Sequence, residues 1–246
     1  MAIVVTGGTK GIGLAIAERF SRPGNDVFLN YHGDDHAAAE AARRVEARGA
    51  RAHVVKADVG SPEGTRRLMA TVAERVDQLD QLVHCAVRVV PGAALDADPY
   101  EFARAVTLNG TALQWLVQAA LPLFRPGSTV FFLSSRGGRA VIPGYAAVGV
   151  AKALGESLVR YLATELAPRG VRINAVAPGV LDTDAFRTAF GEAADALLAQ
   201  SAAANPSGRG MRHDDYTALI EFLAGPEAAM IQGQVIFVNG GQNLMA

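Results

Sequence analysis

The chain contains one cysteine, Cys85, in 246 residues. A single thiol cannot close an internal disulfide, so a disulfide-stapled fold is excluded and a reducing compartment fits. Charge of one sign is also missing, since 23 Lys and Arg balance 24 Asp and Glu to a formal net −1. Without a one-signed field, neither a nucleic acid nor an anionic membrane is expected as a partner. No apolar run reaches membrane-spanning length, and Met1–Thr6 lacks the basic flank and long apolar stretch of a signal peptide. The expectation is a soluble, cytoplasmic protein without a metal.

Half of the residues are apolar, enough to bury one sizeable core in a single domain spanning 1–246. Short β-rich runs alternate with longer helical patterns. Strands are predicted at Ala2–Thr6, Asp26–Asn30, Ala52–Lys56, Gln81–His84, Thr129–Leu133, Val171–Val176 and Gln234–Val238. Several are almost uninterruptedly apolar, as strands buried on both faces of a parallel sheet must be. Helices are predicted at Gly11–Ser21, Asp35–Arg48, Pro62–Val76, Tyr100–Leu121, Tyr145–Ala167 and Asp214–Leu223. Gly49 is a helix stop, and Ser61-Pro62 is a cap followed by a first-turn proline. This alternation specifies an α/β fold, a Rossmann-type doubly wound parallel sheet of seven strands with helices on both faces. The stretch 181–210 breaks the rhythm with small residues and scattered Phe186, Phe190, Leu197 and Leu198, and is expected to be a substrate lid.

The first strand runs into Thr6-Gly7-Gly8-Thr9-Lys10-Gly11-Ile12-Gly13 and then a helix. Glycines there permit a tight turn and close backbone approach to a pyrophosphate, which the free N–H groups of the helix start would bind. The second strand ends Leu29-Asn30-Tyr31-His32, without the acid that would grip an unphosphorylated ribose. With Lys10 nearby, NADP(H) is the expected cofactor, although Asp34 and Asp35 follow closely.

These motifs resemble the short-chain dehydrogenase/reductase family over nearly the whole chain. Thr6–Gly13 meets its TGxxxGxG pattern in full. Lys56-Ala57-Asp58-Val59, Asn109, the run from Asn174 through Pro178-Gly179 to Thr183, and Val238-Asn239-Gly240-Gly241 match its other motifs. The resemblance implies cofactor contacts at Gly7, Thr9, Lys10, Gly11, Ile12 and Gly13, at Asn30 and Tyr31, and at Asp58 and Val59. It extends them to Cys85, Ala86, Lys152, Pro178, Gly179, Val180 and Thr183. It implies catalytic roles for Ser135, Tyr145, Lys152 and Asn109.

Two departures stand out. The family's N-N-A-G after the fourth strand is replaced by His84-Cys85-Ala86-Val87, which loses a brace near the cofactor. His84 reads as a satisfied core histidine and Cys85 as a small buried hydrophobe. The second departure is the spacing Tyr145-x6-Lys152, with Val148 where the usual Tyr-x-x-x-Lys tyrosine would stand. Seven residues are close to two helical turns, so Tyr145 and Lys152 are expected on one face, about 10 Å apart along the axis. This spacing is similar to that of the NADPH-dependent enoyl-acyl-carrier-protein reductase III group within the family. It implies reduction of the double bond of an acyl-thioester substrate, which an acyl carrier protein could deliver. Arg136 and Arg139 could meet its phosphopantetheine. The alternatives are a carbonyl reductase acting on a small specialised metabolite such as a polyketide, and a catalytically silent NADP-binding sensor. Apolar faces on the helices from Tyr100 and Tyr145 imply a homotetramer or dimer.

Overall fold

Buried apolar strands alternate with helices from the first residues onward. The strands are β1 (Ala2–Thr6), β2 (Asp26–Tyr31), β3 (Arg51–Lys56), β4 (Gln81–His84), β5 (Thr129–Leu133), β6 (Arg172–Pro178) and β7 (Val235–Val238). The helices are α1 (Gly11–Arg19), α2 (Asp35–Glu46), α3 (Pro62–Ala73), α4 (Pro99–Val106), α5 (Ala112–Ala120), α6 (Ala146–Leu166), α7 (Asp184–Phe190), α8 (Ala194–Ala203) and α9 (His213–Ala224). The computed structural model describes residues 1–242 and 244.

All strand pairs are parallel, in the order β3-β2-β1-β4-β5-β6-β7, so the expected seven-stranded doubly wound sheet is the observed one. One face is covered by Leu68 and Val72 of α3, Leu113 and Leu116 of α5, and Val159 and Leu162 of α6. The other is covered by Leu14 and Ile16 of α1, Ala41 and Val45 of α2, and Tyr216, Ile220 and Leu223 of α9. Helix starts follow local chemistry. Asp34, Ser61 and Asp98 accept hydrogen bonds from free N–H groups of α2, α3 and α4, and prolines 62 and 99 occupy first-turn positions. No helix among the described residues is long and apolar enough to cross a membrane.

Three local differences from the sequence reading bear on function. The helix predicted over Tyr100–Leu121 divides at a π-helical turn, Thr107–Thr111. Gly110 in that turn lies against α6, where an added Cβ would stand 2.7 Å from the Ala151 carbonyl oxygen, and a tertiary contact of this kind leaves no trace in periodicity. The stretch 181–210 folds largely as α7 and α8, with Thr183 capping α7 through a 3.2 Å bond from the Phe186 N–H. Tyr145 lies outside α6 as its N-cap residue, at φ −120° and ψ 16°, with a bridge to Gly92.

Close approach of α6 to the sheet requires glycine at 155, where a Cβ would fall 2.1 Å from Cζ of Phe132. Gly155→Ala is therefore expected to destabilise the protein by about 1–3 kcal/mol through overpacking. The urea midpoint reads this directly, and an unchanged midpoint would show that Phe132 moves aside without cost.

Candidate active site

The strand order reverses between β1 and β4, and a cleft opens there along the C-terminal strand ends, as open α/β sheets dictate. Its volume is about 1710 Å³, and it gathers most of the residues of 7–13, 30–34, 57–60, 85–89, 133–136, 142–145 and 178–190 together with Lys152.

At one end the glycine turn is built as a phosphate cradle. Gly7 and Gly11 have positive φ of 61° and 49°, and a Cβ on Gly13 would lie 2.2 Å from the Gly7 carbonyl oxygen. The N-cap residue of α1, Lys10, makes no side-chain cap, so the first N–H groups are left for a ligand and the dipole favours an anion. Thr183 faces this turn from across the cleft, 3.4 Å from where a Gly11 Cβ would be. These features fit the pyrophosphate of a dinucleotide.

The adenosine end is less simply cationic than the sequence implied. Lys10 Nζ lies 2.5 Å from Asp34 and 3.7 Å from Asp184, and the Asp34 hydrogen bond raises its pKa. Asp35 is turned toward Tyr31 Oη (2.8 Å) and Lys56 Nζ (2.9 Å). Asn30 lines the cleft, yet its amide donates to the carbonyls of Val55 (3.2 Å) and Ala57 (3.0 Å) and so ties β2 to β3. Asp58 folds back to accept the Gly60 N–H at 2.9 Å, while Val59 is buried beside it.

The floor contains its own brace in place of the lost asparagines. His84 is fully buried, with Nδ1 2.9 Å from Thr6 Oγ1 and Nε2 3.0 Å from the Leu108 carbonyl. Since a carbonyl only accepts, Nε2 carries the proton and Nδ1 accepts from the Thr6 hydroxyl. Thr6 Oγ1 in turn accepts the N–H groups of Cys85 and Ala86, each at 3.1 Å. Burial pushes His84 down to about 3 and the Cys85 thiol up to about 11, so both are neutral near pH 7. His84 is thus a structural histidine here, and Cys85 is not a thiolate. Nothing local in the sequence announces this network, because Thr6 and His84 meet only through β1–β4 pairing.

At the other end Tyr145, Ser135 and Lys152 line the same cleft. Tyr145 is hydrogen-bonded to Ser135, but burial outweighs that bond and raises the phenol's pKa. One face of its ring lies against Gly137, where a Cβ would come within 2.9 Å of Cδ1. The Phe190 ring of α7 stacks near-parallel with it at 6.1 Å and 13°. Lys152 is 5% exposed and has no carboxylate within ion-pair distance among the described residues. Burial lowers it to about 8, and its ammonium sits 4.8 Å from the Phe132 ring centroid. Val148 is sealed in the core at 1% exposure, away from any substrate.

Two residues depart from their expected positions. Asn109 is fully buried outside the cleft lining, its amide closed on the backbone of Arg88, with Oδ1 accepting at 2.7 Å and Nδ2 donating at 2.8 Å. It braces the segment after β4 and does not face a substrate. Arg139, expected at the entrance, binds buried Glu156 at 2.9 Å and packs over Phe237. Phe186, Phe190 and Leu197 of the stretch 181–210 line the cleft. Ile142, Gln200 and Phe237 also line it, and no sequence motif marked them.

The family model described as Enoyl-(Acyl carrier protein) reductase matches residues 7–243. The 1-cyclohexenylcarbonyl-CoA reductase of Streptomyces collinus is 32% identical over 99% of this chain and 87% of its own length. An active-site complex of Pseudomonas aeruginosa RhlG with NADP superposes with a TM-score of 0.88 at 32% identity, covering 99% of this chain and 96% of that one. The angucycline C-6 ketoreductase LanV with bound NADP gives a TM-score of 0.87 at 30% identity, covering 98% and 94%. With the glycine cradle, the doubly wound sheet and the cleft at its switch point, these matches place the chain in the short-chain dehydrogenase/reductase family of oxidoreductases.

Proposed function

We propose that this chain is an NADPH-dependent reductase of a conjugated double bond, in an enoyl thioester or a related enone. The observation that carries this reading is the position of Tyr145: seven residues before Lys152, in the same cleft, with Val148 buried at the usual position. The family model and the 1-cyclohexenylcarbonyl-CoA reductase support it. The glycine turn would hold the pyrophosphate, Asp58 and Val59 the adenine, Lys152 the nicotinamide ribose, and Pro178–Thr183 the nicotinamide. NADPH, when bound, supplies the hydride.

The chain's own residues supply the remainder. Burial keeps the Tyr145 phenol protonated, so its Oη can donate a hydrogen bond to the substrate carbonyl oxygen as negative charge gathers there. Ser135 orients the phenol. The Lys152 ammonium, with no carboxylate partner among the described residues, is available for ribose hydroxyls. Phe186 and Phe190 of α7 wall off water above the ring. A protonated phenol favours the reductive direction over alcohol oxidation, which needs a phenolate base.

Carbonyl reduction is the second reading, favoured by the LanV likeness and by a cleft wide enough for a ring system. NADPH consumption with a crotonyl thioester against an acetoacetyl thioester separates the two; turnover of the keto substrate alone would replace enoyl reduction by the second reading. Self-association belongs to the same proposal, since Tyr100 on α4 and Val150 and Tyr161 on α6 are 75%, 51% and 69% exposed.

Asp34 sets a further expectation. It neutralises Lys10 at the rim where an adenosine 2′-phosphate would lie, and Asn can replace it as a helix cap. Asp34→Asn is expected to lower the KM for NADPH severalfold while leaving that for NADH nearly unchanged, since it removes a charge of the same sign as the 2′-phosphate from the rim. A KM for NADPH that rose instead would show that Asp34 serves the cofactor directly.

A further inference from the structure

Glu156 is a buried carboxylate that the proposed reaction does not use. It lies one turn after Lys152 on α6 and is 4% exposed. At i+4 it could have neutralised the lysine, yet it turns toward the segment that follows β5. Its Oε1 accepts from the Ser134 hydroxyl at 2.6 Å, and its Oε2 accepts from Arg139 Nε at 2.9 Å. One carboxylate therefore grips both ends of the stretch 134–139.

Between those two anchors lie Ser135 and Gly137, which meet the Tyr145 side chain. Ser135 bonds to the phenol and accepts the Gly137 N–H at 3.2 Å. Gly137 supports the ring face, and a Cβ on Gly138 would stand 3.1 Å from Glu156 Oε1. On the other side Gly149 of α6 is so close that a Cβ would reach the Gly137 carbonyl oxygen at 2.7 Å. The turn has no room to shift unless its anchors release. Arg139 continues the linkage outward, its guanidinium 5.2 Å from the centroid of Phe237 in the cleft wall.

We propose that Glu156 is a positioning residue: with Ser134 and Arg139 it fixes the 134–139 turn, and through Ser135 and Gly137 it sets where the Tyr145 hydroxyl points. The arrangement also spends the Glu156 charge on Arg139, so that Lys152 remains unneutralised for the cofactor. This proposal rests on the assignment of Tyr145 as the group that handles the substrate oxygen.

Two variants test it. Glu156→Gln retains an acceptor for Ser134, loses the ion pair and leaves no buried charge; Arg139→Met removes the pair from its half-exposed side but leaves the buried carboxylate unpaired, so the first variant keeps the test decisive if the second folds poorly. Both are expected to lower kcat with crotonyl thioester by about 10- to 100-fold, the scale of a small misplacement, with the NADPH Kd unchanged. In a double-mutant cycle, Glu156→Gln and Ser135→Ala are expected to be strongly non-additive, since both act on one hydroxyl. A readout free of any substrate accompanies these: with tyrosines labelled at ¹³Cζ and Tyr145 assigned by Tyr145→Phe, both variants should move the Tyr145 resonance and leave those of Tyr31, Tyr100 and Tyr161 in place. Unchanged kcat, additive effects with Ser135→Ala, or a stationary Tyr145 signal would each overturn the positioning role. Should neither thioester be turned over by the unmodified enzyme, the reaction reading falls, while the resonance still decides for or against Glu156.

Discussion

Lys152→Met is expected to abolish cofactor-dependent turnover and, at the same time, to stabilise the free protein. The ammonium is buried without a carboxylate partner among the described residues, and desolvation lowers it from 10.5 to about 8. At about 1.4 kcal/mol for each tenfold change in proton affinity, the buried charge costs the fold about 3 kcal/mol at neutral pH. Contact with the Phe132 ring returns part of that, roughly 0.5–2 kcal/mol, so a net gain of about 1–2 kcal/mol is the expectation for methionine. The pH dependence has a definite sign. Below pH 8 the lysine is protonated folded and unfolded, and the full cost is present. Between about 8 and 10.5 the unfolded chain binds more protons, so the wild-type protein gains stability as pH rises. The advantage of Lys152→Met should therefore be greatest at pH 7 and shrink through that window. Chemical denaturation of the cofactor-free protein at pH 7 and pH 10 checks it; a variant less stable at pH 7 would refute the unneutralised charge. Affinity for NADPH in the unmodified protein should fall as pH rises past 8, because the group that would hold the ribose loses its charge.

Tyr145→Phe should reduce kcat by about 10²–10³, the usual loss when one donor to a developing oxyanion is removed, with little change in NADPH Kd or in stability. Restoring the more common spacing should not rescue it. Val148 is 1% exposed among core residues, so Tyr145→Phe/Val148→Tyr would have to push a ring into packed space and is expected to lose stability without recovering rate. Single-turnover NADPH oxidation measures the first effect and thermal denaturation the second. A Tyr145→Phe enzyme with undiminished rate would remove the phenol from the reaction.

The glycine turn was legible because its signals are local. Gly7, Gly11 and Gly13 fall within seven residues spanning one turn and a helix start, and a positive φ or a missing Cβ is a property that a single residue carries. Pro178 to Thr183 likewise follows directly on one strand. The spacing of Tyr145 and Lys152 was legible too, but the reason they share a cleft was not the one helical periodicity offered. Tyr145 is not within α6; its non-helical backbone and the Gly92 bridge place it. The direction of its ring is decided by Gly137 below and Phe190 above, residues remote in sequence.

By itself, the sequence determined the parallel doubly wound sheet and the phosphate turn, since hydrophobic period, glycine placement and strand–turn–helix order act over a few residues. Tertiary structure alone decided the protonation and partners of what those residues became. It made His84 a neutral brace on Thr6, put Asn109 on the Arg88 backbone, gave Arg139 to Glu156 and, among the described residues, left Lys152 without a counter-charge. The physical reason is that pKa values and hydrogen-bond partners depend on burial and on distances of a few ångströms between groups far apart in the chain, which only the packed fold brings together.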